Sequence, residues 1–184
     1  ANRIELCSDL AHDGLTPDLD LTRQLAEILQ IPIRVMIRPR PGNFVFTNTE
    51  VEQMINSINQ FKQLPIEGFV IGMLTPNSRP DLPNLKRLAQ AALPFKMTFH
   101  KAIDECTNIT EAAFDIINNV PVDTILTSGG QPTAWEGRET LQKLVRITGK
   151  RVNIMPAGKI TASNIDQLHQ QIQAKWYHGR KITR

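Results

Sequence analysis

Short apolar segments alternate with longer amphipathic segments along the whole chain. Seven of the short segments have the length and composition of strands and lie at 3–7, 33–38, 68–73, 95–100, 124–129, 151–157 and 174–179. Helical patterns fill the intervals between them, at 20–30, 49–64, 84–92, 109–119, 137–148 and 161–173. This alternation predicts parallel strands joined by crossover helices, in a single domain over residues 1–184.

The length of the chain bears on how far such a fold is closed. A barrel of eight strand–helix units needs roughly 200–250 residues, whereas this chain has seven units in 184 residues. It has no G-x-G-x-x-G turn of the kind found in doubly wound sheets. We therefore expect an α/β fold of the TIM (β/α)8 type that lacks its first strand and helix in this chain, with an open or smaller barrel as the alternative.

Alternation along each strand predicts which side chains enter the barrel. In the first strand, Ile4 and Leu6 should face the helices, while Arg3, Glu5 and Cys7 should face the interior. By the same rule, the residues that should face the helices are Val35, Ile37, Met97 and Phe99. Those that should face the barrel interior are Arg34, Met36, Arg38, Thr98 and His100, and we expect Thr127, Asn153 and His178 to face it as well.

A barrel interior with this many charges has two interpretations. In the first, Glu5 pairs with Arg3 or Arg38 and the pair only fills the interior, because buried charges are costly unless paired. In the second, the carboxyl ends of the strands form a pocket for an anion. The candidate catalytic residues of that pocket are Glu5 and His100, as an acid–base pair. Its candidate substrate-binding residues are Arg3, Arg38, Arg40, Thr127, Ser128 and His178.

Composition excludes several classes of partner. The formal net charge is only +3, aromatic residues make up 5% of the chain, and no run of Lys and Arg occurs, so nucleic acid is not an expected partner. No apolar run has the length of a membrane span. The two cysteines have no C-x-x-C spacing, and a reducing cytoplasm is the expected location. The sequence leaves homo-oligomerisation open.

Several motifs, spread over the full length of the chain, carry a resemblance. They are R-I-E-L-C at 3–7, G-L-T-P at 14–17, M-I-R-P-R at 36–40, T-F-H-K-A-I-D at 98–104, L-T-S-G at 126–129 and I-M-P-A-G at 154–158. Together and in this order they resemble the CutC copper-homeostasis family. The resemblance implies a cytoplasmic TIM barrel and the handling of copper, with Cu(I) as the expected ion. Cys7 matches the strand cysteine of that family and is the candidate metal ligand.

Two departures from the family limit what the resemblance implies. The last strand has Trp176, Tyr177 and His178 where the family tends to have Glu-Phe-His, so a role that needs this carboxylate does not carry over. A second family cysteine belongs to a strand upstream of Ala1. Ala1 and Asn2 fit the end of a G-A-D or G-A-N tripeptide that closes that upstream unit, in agreement with the expected missing strand.

Three hypotheses for function follow. The first is Cu(I) binding by Cys7 with Met36, both soft sulfur ligands, assisted by His100. The second is an enzyme that acts on a small anionic metabolite by acid–base chemistry at the carboxyl ends of the strands. The third is a partner-binding role through an exposed Trp135, or packing of that indole on its own barrel. The expected partners are thus a copper ion or a small anion.

Overall fold

The computed structural model describes residues 1–183, and over that range six strands alternate with six α-helices. The strands are β1 (Ile4–Leu6), β2 (Ile33–Met36), β3 (Gly68–Ile71), β4 (Lys96–Phe99), β5 (Thr124–Thr127) and β6 (Asn153–Pro156). The helices are α1 (Leu19–Ile28), α2 (Asn48–Phe61), α3 (Leu82–Ala92), α4 (Ile109–Asn119), α5 (Arg138–Thr148) and α6 (Ile165–Ile172). The six strands form one sheet in chain order with every neighbouring pair parallel, as the alternation predicted.

The sheet curls into a half-barrel, so that its first and last strands approach one another. Arg3, just before β1, donates from Nη2 to the sulfur of Met155 in β6 over 3.3 Å. Beyond β6, His178 Nδ1 lies 3.3 Å from Glu5 Oε2 in β1. The predicted α/β architecture is therefore confirmed, while a further strand and helix before β1 stay a prediction.

The predicted seventh strand at 174–179 is wrong. The segment makes one sheet-like hydrogen bond to β6, from the His178 N–H to the Pro156 carbonyl over 2.9 Å. The hydroxyl of Tyr177 accepts the N–H of Ala174 over 3.1 Å, so a backbone donor that a strand would use is bonded within the segment. The residues that would close the barrel thus form an irregular strap.

Side-chain caps set where most helices begin. α2 has a capping box formed by Thr47 and Glu50, and Asp18, Asp81 and Asn108 cap α1, α3 and α4. The sixth predicted helix, 161–173, starts four residues late, because its first residues form a turn. Over residues 1–183 no helix combines the length and apolar character needed to cross a membrane.

Outward-facing strand residues and the inner faces of the helices form the main apolar core. Its members include the predicted outward residues Val35, Ile37, Met97 and Phe99, each at most 2% exposed. Leu6 packs against this core from β1. Ile125 of β5 belongs to it as well, so Thr127, two residues further on, shares the outward face, and the expectation that Thr127 points inward is wrong.

The interior of the half-barrel is polar at the amino ends of the strands. Arg34 of β2 is 1% exposed and lies at the centre of this region. It donates to both carboxylate oxygens of Asp123 over 2.8 and 2.7 Å, to Glu67 over 2.8 Å and to Thr98 over 2.7 Å. One inward guanidinium thus connects the starts of β2, β3 and β5 with β4, which confirms the inward orientation of Arg34 and Thr98.

Replacing this arginine tests how much the network stabilises the fold. Arg34→Met should lower the free energy of unfolding by about 3 kcal/mol, because it leaves Asp123 without its hydrogen-bonded cation and removes one of the cations of Glu67 in a partly buried site. Arg23→Met removes an exposed pair with Asp20 on α1 and should change stability by less than about 0.5 kcal/mol. Urea unfolding of both variants and the parent measures the difference. Equal losses in the two variants would contradict the central role of Arg34.

Candidate functional site

The structure distributes the sequence-predicted site residues over several places instead of assembling one constellation. Arg38 and His100 lie together just beyond the carboxyl ends of β2 and β4. Arg3, Glu5 and His178 meet where β1 approaches the strap. Thr127 and Ser128 contact Asp104, and Arg40 contacts the start of α2. Cys7 adjoins Gly14 and Met36.

Arg38 holds two loops together with a buried guanidinium. Its side chain donates from Nη1 to the His12 carbonyl and from Nη2 to the Gly42 carbonyl, both over 2.8 Å, and its Cζ lies 4.8 Å from the ring centre of Phe44. Within residues 1–183 no carboxylate accepts a hydrogen bond from it, and its buried Nε has no hydrogen-bond partner. Burial lowers the pKa of Arg38 from its ordinary value, which reflects an incompletely compensated cation.

His100 is a neutral, buried imidazole next to this cation. It is 4% exposed, its ring centre lies 4.9 Å from that of Phe44, and its Nδ1 accepts the Ala102 N–H over 3.1 Å. Burial, together with the charge of Arg38, lowers the pKa of His100 to about 3. Because Nδ1 accepts a hydrogen bond, the proton of the neutral ring lies on Nε2. That Nε2–H has no acceptor among the described residues.

A glycine just beyond the end of β3 makes room for this imidazole. A Cβ atom on Gly72 would lie 2.3 Å from His100 Cε1 and Nδ1, so any other residue there would displace the ring. Arg38 and His100 therefore leave two buried N–H donors, both next to Phe44, without an acceptor. Buried donors are nearly always paired in proteins, and such a pair of orphans calls for an oxygen supplied by a ligand or by water.

Glu5 does not take part in this arrangement. Its side chain is 6% exposed, with Oε2 3.3 Å from His178 Nδ1 and Oε1 3.6 Å from Arg3 Nη2. In the β1–β2 register Glu5 lies opposite Arg34, near the amino end of the interior, whereas Arg38 lies two residues past the end of β2. Of the two ion pairs predicted for Glu5, the one with Arg3 is therefore present, whereas the one with Arg38 is not formed. The acid–base pair of Glu5 with His100 is not formed either.

Asp104 binds the loop that sequence reasoning assigned to a substrate. Its carboxylate accepts the hydroxyls of Thr127 and Ser128 over 2.5 and 2.9 Å and the N–H groups of Ser128 and Gly130 over about 3 Å. The loop donors that suit an anion thus bond to an internal carboxylate. Asp104 was missed, although its place four residues after His100 in T-F-H-K-A-I-D puts it in reach of the next loop.

Arg40 supports the start of α2. Its Nε donates to Glu50 over 2.5 Å, and its other nitrogens donate to the carbonyls of Asn43 and Val45 over 3.0 and 2.7 Å. Glu50 also belongs to the capping box with Thr47. These contacts agree with the local role considered for Arg40 from the sequence, and none of them points it toward Arg38 and His100.

Cys7 meets a second sulfur-bearing side chain across a glycine. A Cβ atom on Gly14 would lie 2.9 Å from Cys7 Sγ and 3.8 Å from Met36 Cε, so both side chains adjoin the same backbone position. Burial raises the pKa of the Cys7 thiol, which disfavours the thiolate at neutral pH. No group of three or more His, Cys, Asp or Glu side chains suited to a metal occurs within residues 1–183. Of the side chains next to Gly14, the Cys7 thiol and the Met36 thioether are the types that suit Cu(I).

His100 is not available to complete a copper site without rearrangement. Coordination through Nε2 requires the ring proton to move to Nδ1, where it would oppose the Ala102 N–H. The other cysteine, Cys106, is also a poor ligand, because burial and the neighbouring Asp104 and Glu105 raise its pKa to about 12. In its present tautomer, His100 therefore cannot join Cys7 and Met36 as a third ligand.

The depressed pKa of His100 predicts a pH dependence of stability. The unfolded chain binds a proton on this residue below about pH 6.5, whereas the folded chain does so only near pH 3. The unfolded state therefore holds more protons in that window, and the free energy of unfolding falls by up to about 1.4 kcal/mol for each unit by which the pH is lowered. His100→Asn keeps an acceptor for Ala102 and removes the titration.

Urea unfolding of parent and His100→Asn at pH 7.0 and pH 5.0 measures this contribution. We expect the parent to lose more stability than the variant between the two pH values. An equal loss in both proteins would show that His100 protonates in the folded state as readily as in the unfolded chain.

Comparison with known proteins identifies the family. The model of the CutC family matches residues 1–183. A CutC family protein of Xanthomonas campestris pv. campestris (strain 8004) is 40% identical over 179 residues, which are 97% of this chain and 74% of that protein. A solved structure described as the copper homeostasis protein CutC from Streptococcus agalactiae superposes with a TM-score of 0.94 at 30% identity, over 99% of this chain and 90% of that one.

A more distant likeness concerns the fold alone. The phosphoribosyl anthranilate isomerase of Thermococcus kodakaraensis superposes with a TM-score of 0.57 at 15% identity, over 96% of this chain and 77% of that chain. The curled parallel sheet is therefore TIM-barrel-like, and the isomerase contributes nothing on chemistry. The family match over nearly the whole chain, supported by the relative from Xanthomonas and the structure from Streptococcus, shows that this chain belongs to the CutC family.

Proposed function

We propose that the protein binds a small anionic metabolite through Arg38 and His100 at the carboxyl ends of β2 and β4. The observation that carries the proposal is the pair of buried donors, Arg38 Nε–H and His100 Nε2–H, that lack an acceptor among the described residues. A carboxylate or carbonyl oxygen next to Phe44 would satisfy both. The charge of Arg38, which no carboxylate compensates through a hydrogen bond, favours an anion.

The proposed chemistry is polarisation of an oxygen by a neutral imidazole. With its pKa near 3, His100 carries no charge at pH 7 and presents a proton on Nε2 instead of a lone pair. A neutral imidazole in this state acts as an electrophile that donates a hydrogen bond to a carbonyl or carboxylate oxygen. This role replaces the general-base role considered from the sequence, for which Glu5 would have to lie near His100.

Binding of a small carboxylate tests the proposal. Pyruvate, used as the probe, should bind to the parent and be detected by ligand NMR line broadening. Arg38→Lys keeps the charge but has no Nε–H, and His100→Asn removes the Nε2–H, so each should weaken binding by about tenfold, the value of one charge-assisted hydrogen bond. Arg3→Gln, at the other end of the strands, is the matched control and should bind like the parent.

Two outcomes would count against this proposal. Failure of pyruvate, acetate and malonate to bind to the parent at millimolar concentration would indicate that water satisfies both donors. A loss of binding in Arg3→Gln equal to that in Arg38→Lys would place carboxylate binding away from His100.

Copper binding is a second candidate, supported by a separate observation. The family's name refers to copper homeostasis, and Cys7 and Met36 adjoin Gly14 together, where no Cβ separates them. Thiolate and thioether sulfurs are the ligands that Cu(I) prefers. Since burial raises the pKa of Cys7, binding would release a proton and would strengthen as the pH rises. The cytoplasmic location expected from the sequence belongs to this same proposal.

Titration of the reduced, metal-free protein with Cu(I) tests this second function. We expect at most one ion per chain, bound weakly and counted by elemental analysis. Cys7→Ser should abolish binding, because a hydroxyl is a poor Cu(I) ligand, and Met36→Leu should weaken it. Cys106→Ser is the control and should bind like the parent. Unchanged stoichiometry in Cys7→Ser, with loss in Cys106→Ser, would move the site to Cys106.

A further inference from the structure

A second cavity opens at the opposite end of the strands from Arg38 and His100. It has a volume of about 170 Å³ and is bordered by residues at the start of every strand. Asn2 and Arg3 precede β1, Glu67 precedes β3, and Asp123 precedes β5. Lys175 and Trp176 of the strap complete its wall. The volume suffices for a small oxyanion with a few waters, since a water occupies roughly 30 Å³ in the liquid.

The charges around this cavity are close to balance, with the cations in slight excess. Its lining has four cations, Arg3, Arg34, Lys96 and Lys175, and two carboxylates, Glu67 and Asp123. The Glu5 carboxylate lies 3.6 Å from Arg3, which leaves one positive charge in excess. Arg34 and Lys96 contact the two carboxylates of the lining. Arg34 bonds to Asp123 and Glu67, and Lys96 Nζ lies 3.2 Å from Glu67. Although burial opposes it, hydrogen bonding from Arg34 keeps the pKa of Glu67 below its usual value, so this carboxylate stays ionised.

Arg3 forms ion pairs with Glu5 and Glu67 at 3.6 and 3.8 Å but donates no hydrogen bond to either carboxylate. Its side chain is 10% exposed, and its one hydrogen bond to a described residue goes to the thioether sulfur of Met155, a weak acceptor. A guanidinium that borders a cavity and has N–H groups without a hydrogen-bonded acceptor suits an oxyanion.

The strap adds a second cation and an aromatic wall. Trp176 has the Arg3 guanidinium 5.6 Å and the Lys175 ammonium 5.9 Å from its ring centre. Lys175 has no carboxylate partner within residues 1–183. Trp176 thus lies beside both Arg3 and Lys175 at the cavity opening. Its fluorescence is therefore a suitable probe of anion binding in the cavity.

We propose that this cavity, at the amino ends of the strands, binds a small oxyanion of the phosphate or sulfate class through Arg3 and Lys175. The site differs from the one at Arg38 and His100 in position and in residues. Arg3, predicted from the sequence as a substrate ligand at the carboxyl ends, therefore belongs to a separate site. The net positive charge around the cavity favours an anion.

Fluorescence of Trp176 tests the proposal directly. The chain has two tryptophans, so Trp135→Phe leaves Trp176 as the only indole. Inorganic phosphate at pH 8 should change its emission in a saturable manner, beyond the change produced by sodium chloride at the same ionic strength. In the Trp135→Phe background, Arg3→Gln should raise the apparent Kd for phosphate by about tenfold or more, the effect of losing a charge-assisted contact.

Further variants keep the test decisive if Arg3→Gln folds poorly. Lys175 is exposed, so Lys175→Gln should fold normally and raise the Kd severalfold. Lys86→Gln removes an equal charge from the exposed face of α3 and should leave the Kd unchanged. Arg38→Lys should also leave it unchanged, because that residue belongs to the other site. A response equal to that of chloride, or one that Lys175→Gln leaves intact, would overturn the proposal.

Discussion

The fold depends on keeping a charged interior electrically satisfied at the amino ends of the strands. Arg34 is buried inside a curled sheet, and its four hydrogen-bond partners come from the starts of β3 and β5 and from β4. An apolar side chain there would leave Asp123 without its hydrogen-bonded cation and Glu67 with only Lys96 and the more distant Arg3, so this network stabilises the curled sheet. The polar amino end also explains why the second apolar cluster, around Leu126 and Met155, is confined to one side of the interior.

At the carboxyl ends of the strands, buried polar side chains fix the long loops that cover the open half-barrel. Arg38 does this by donating to backbone carbonyls of two loops, and Asp104 does it by accepting from the loop after β5. These contacts consume most of the polar groups that sequence reasoning had given to a substrate. What remains is small, namely one donor on Arg38 and one on His100. Ligand binding here is therefore limited to what two fixed donors and one cation can select.

Much of the fold was predictable because alternation along strands has an unambiguous physical basis. Val35 and Ile37 had to be outward, since their neighbours Arg34 and Arg38 cannot face apolar helices, and Met97 and Phe99 form the apolar set of their own strand. Thr127 was misplaced because threonine fits either face, and its orientation follows from Ile125 two positions earlier. The strap was misassigned because its residues have strand composition, whereas the hydrogen bond of Tyr177 to Ala174 depends on tertiary structure.

The site was less predictable, for a reason that applies to charged residues generally. Sequence identifies Glu5, Arg3, Arg38 and His100 as unusual inward residues but does not give their height along the barrel, which depends on strand register. Because Glu5 lies opposite Arg34 in the sheet, its carboxylate is near the amino end of the barrel, where it pairs with Arg3 and His178. The residues that the sequence placed in one constellation thus lie at two opposite ends of the strands. Arg38 lies at the carboxyl ends and Arg3 with Lys175 at the amino ends, so each end has its own cations.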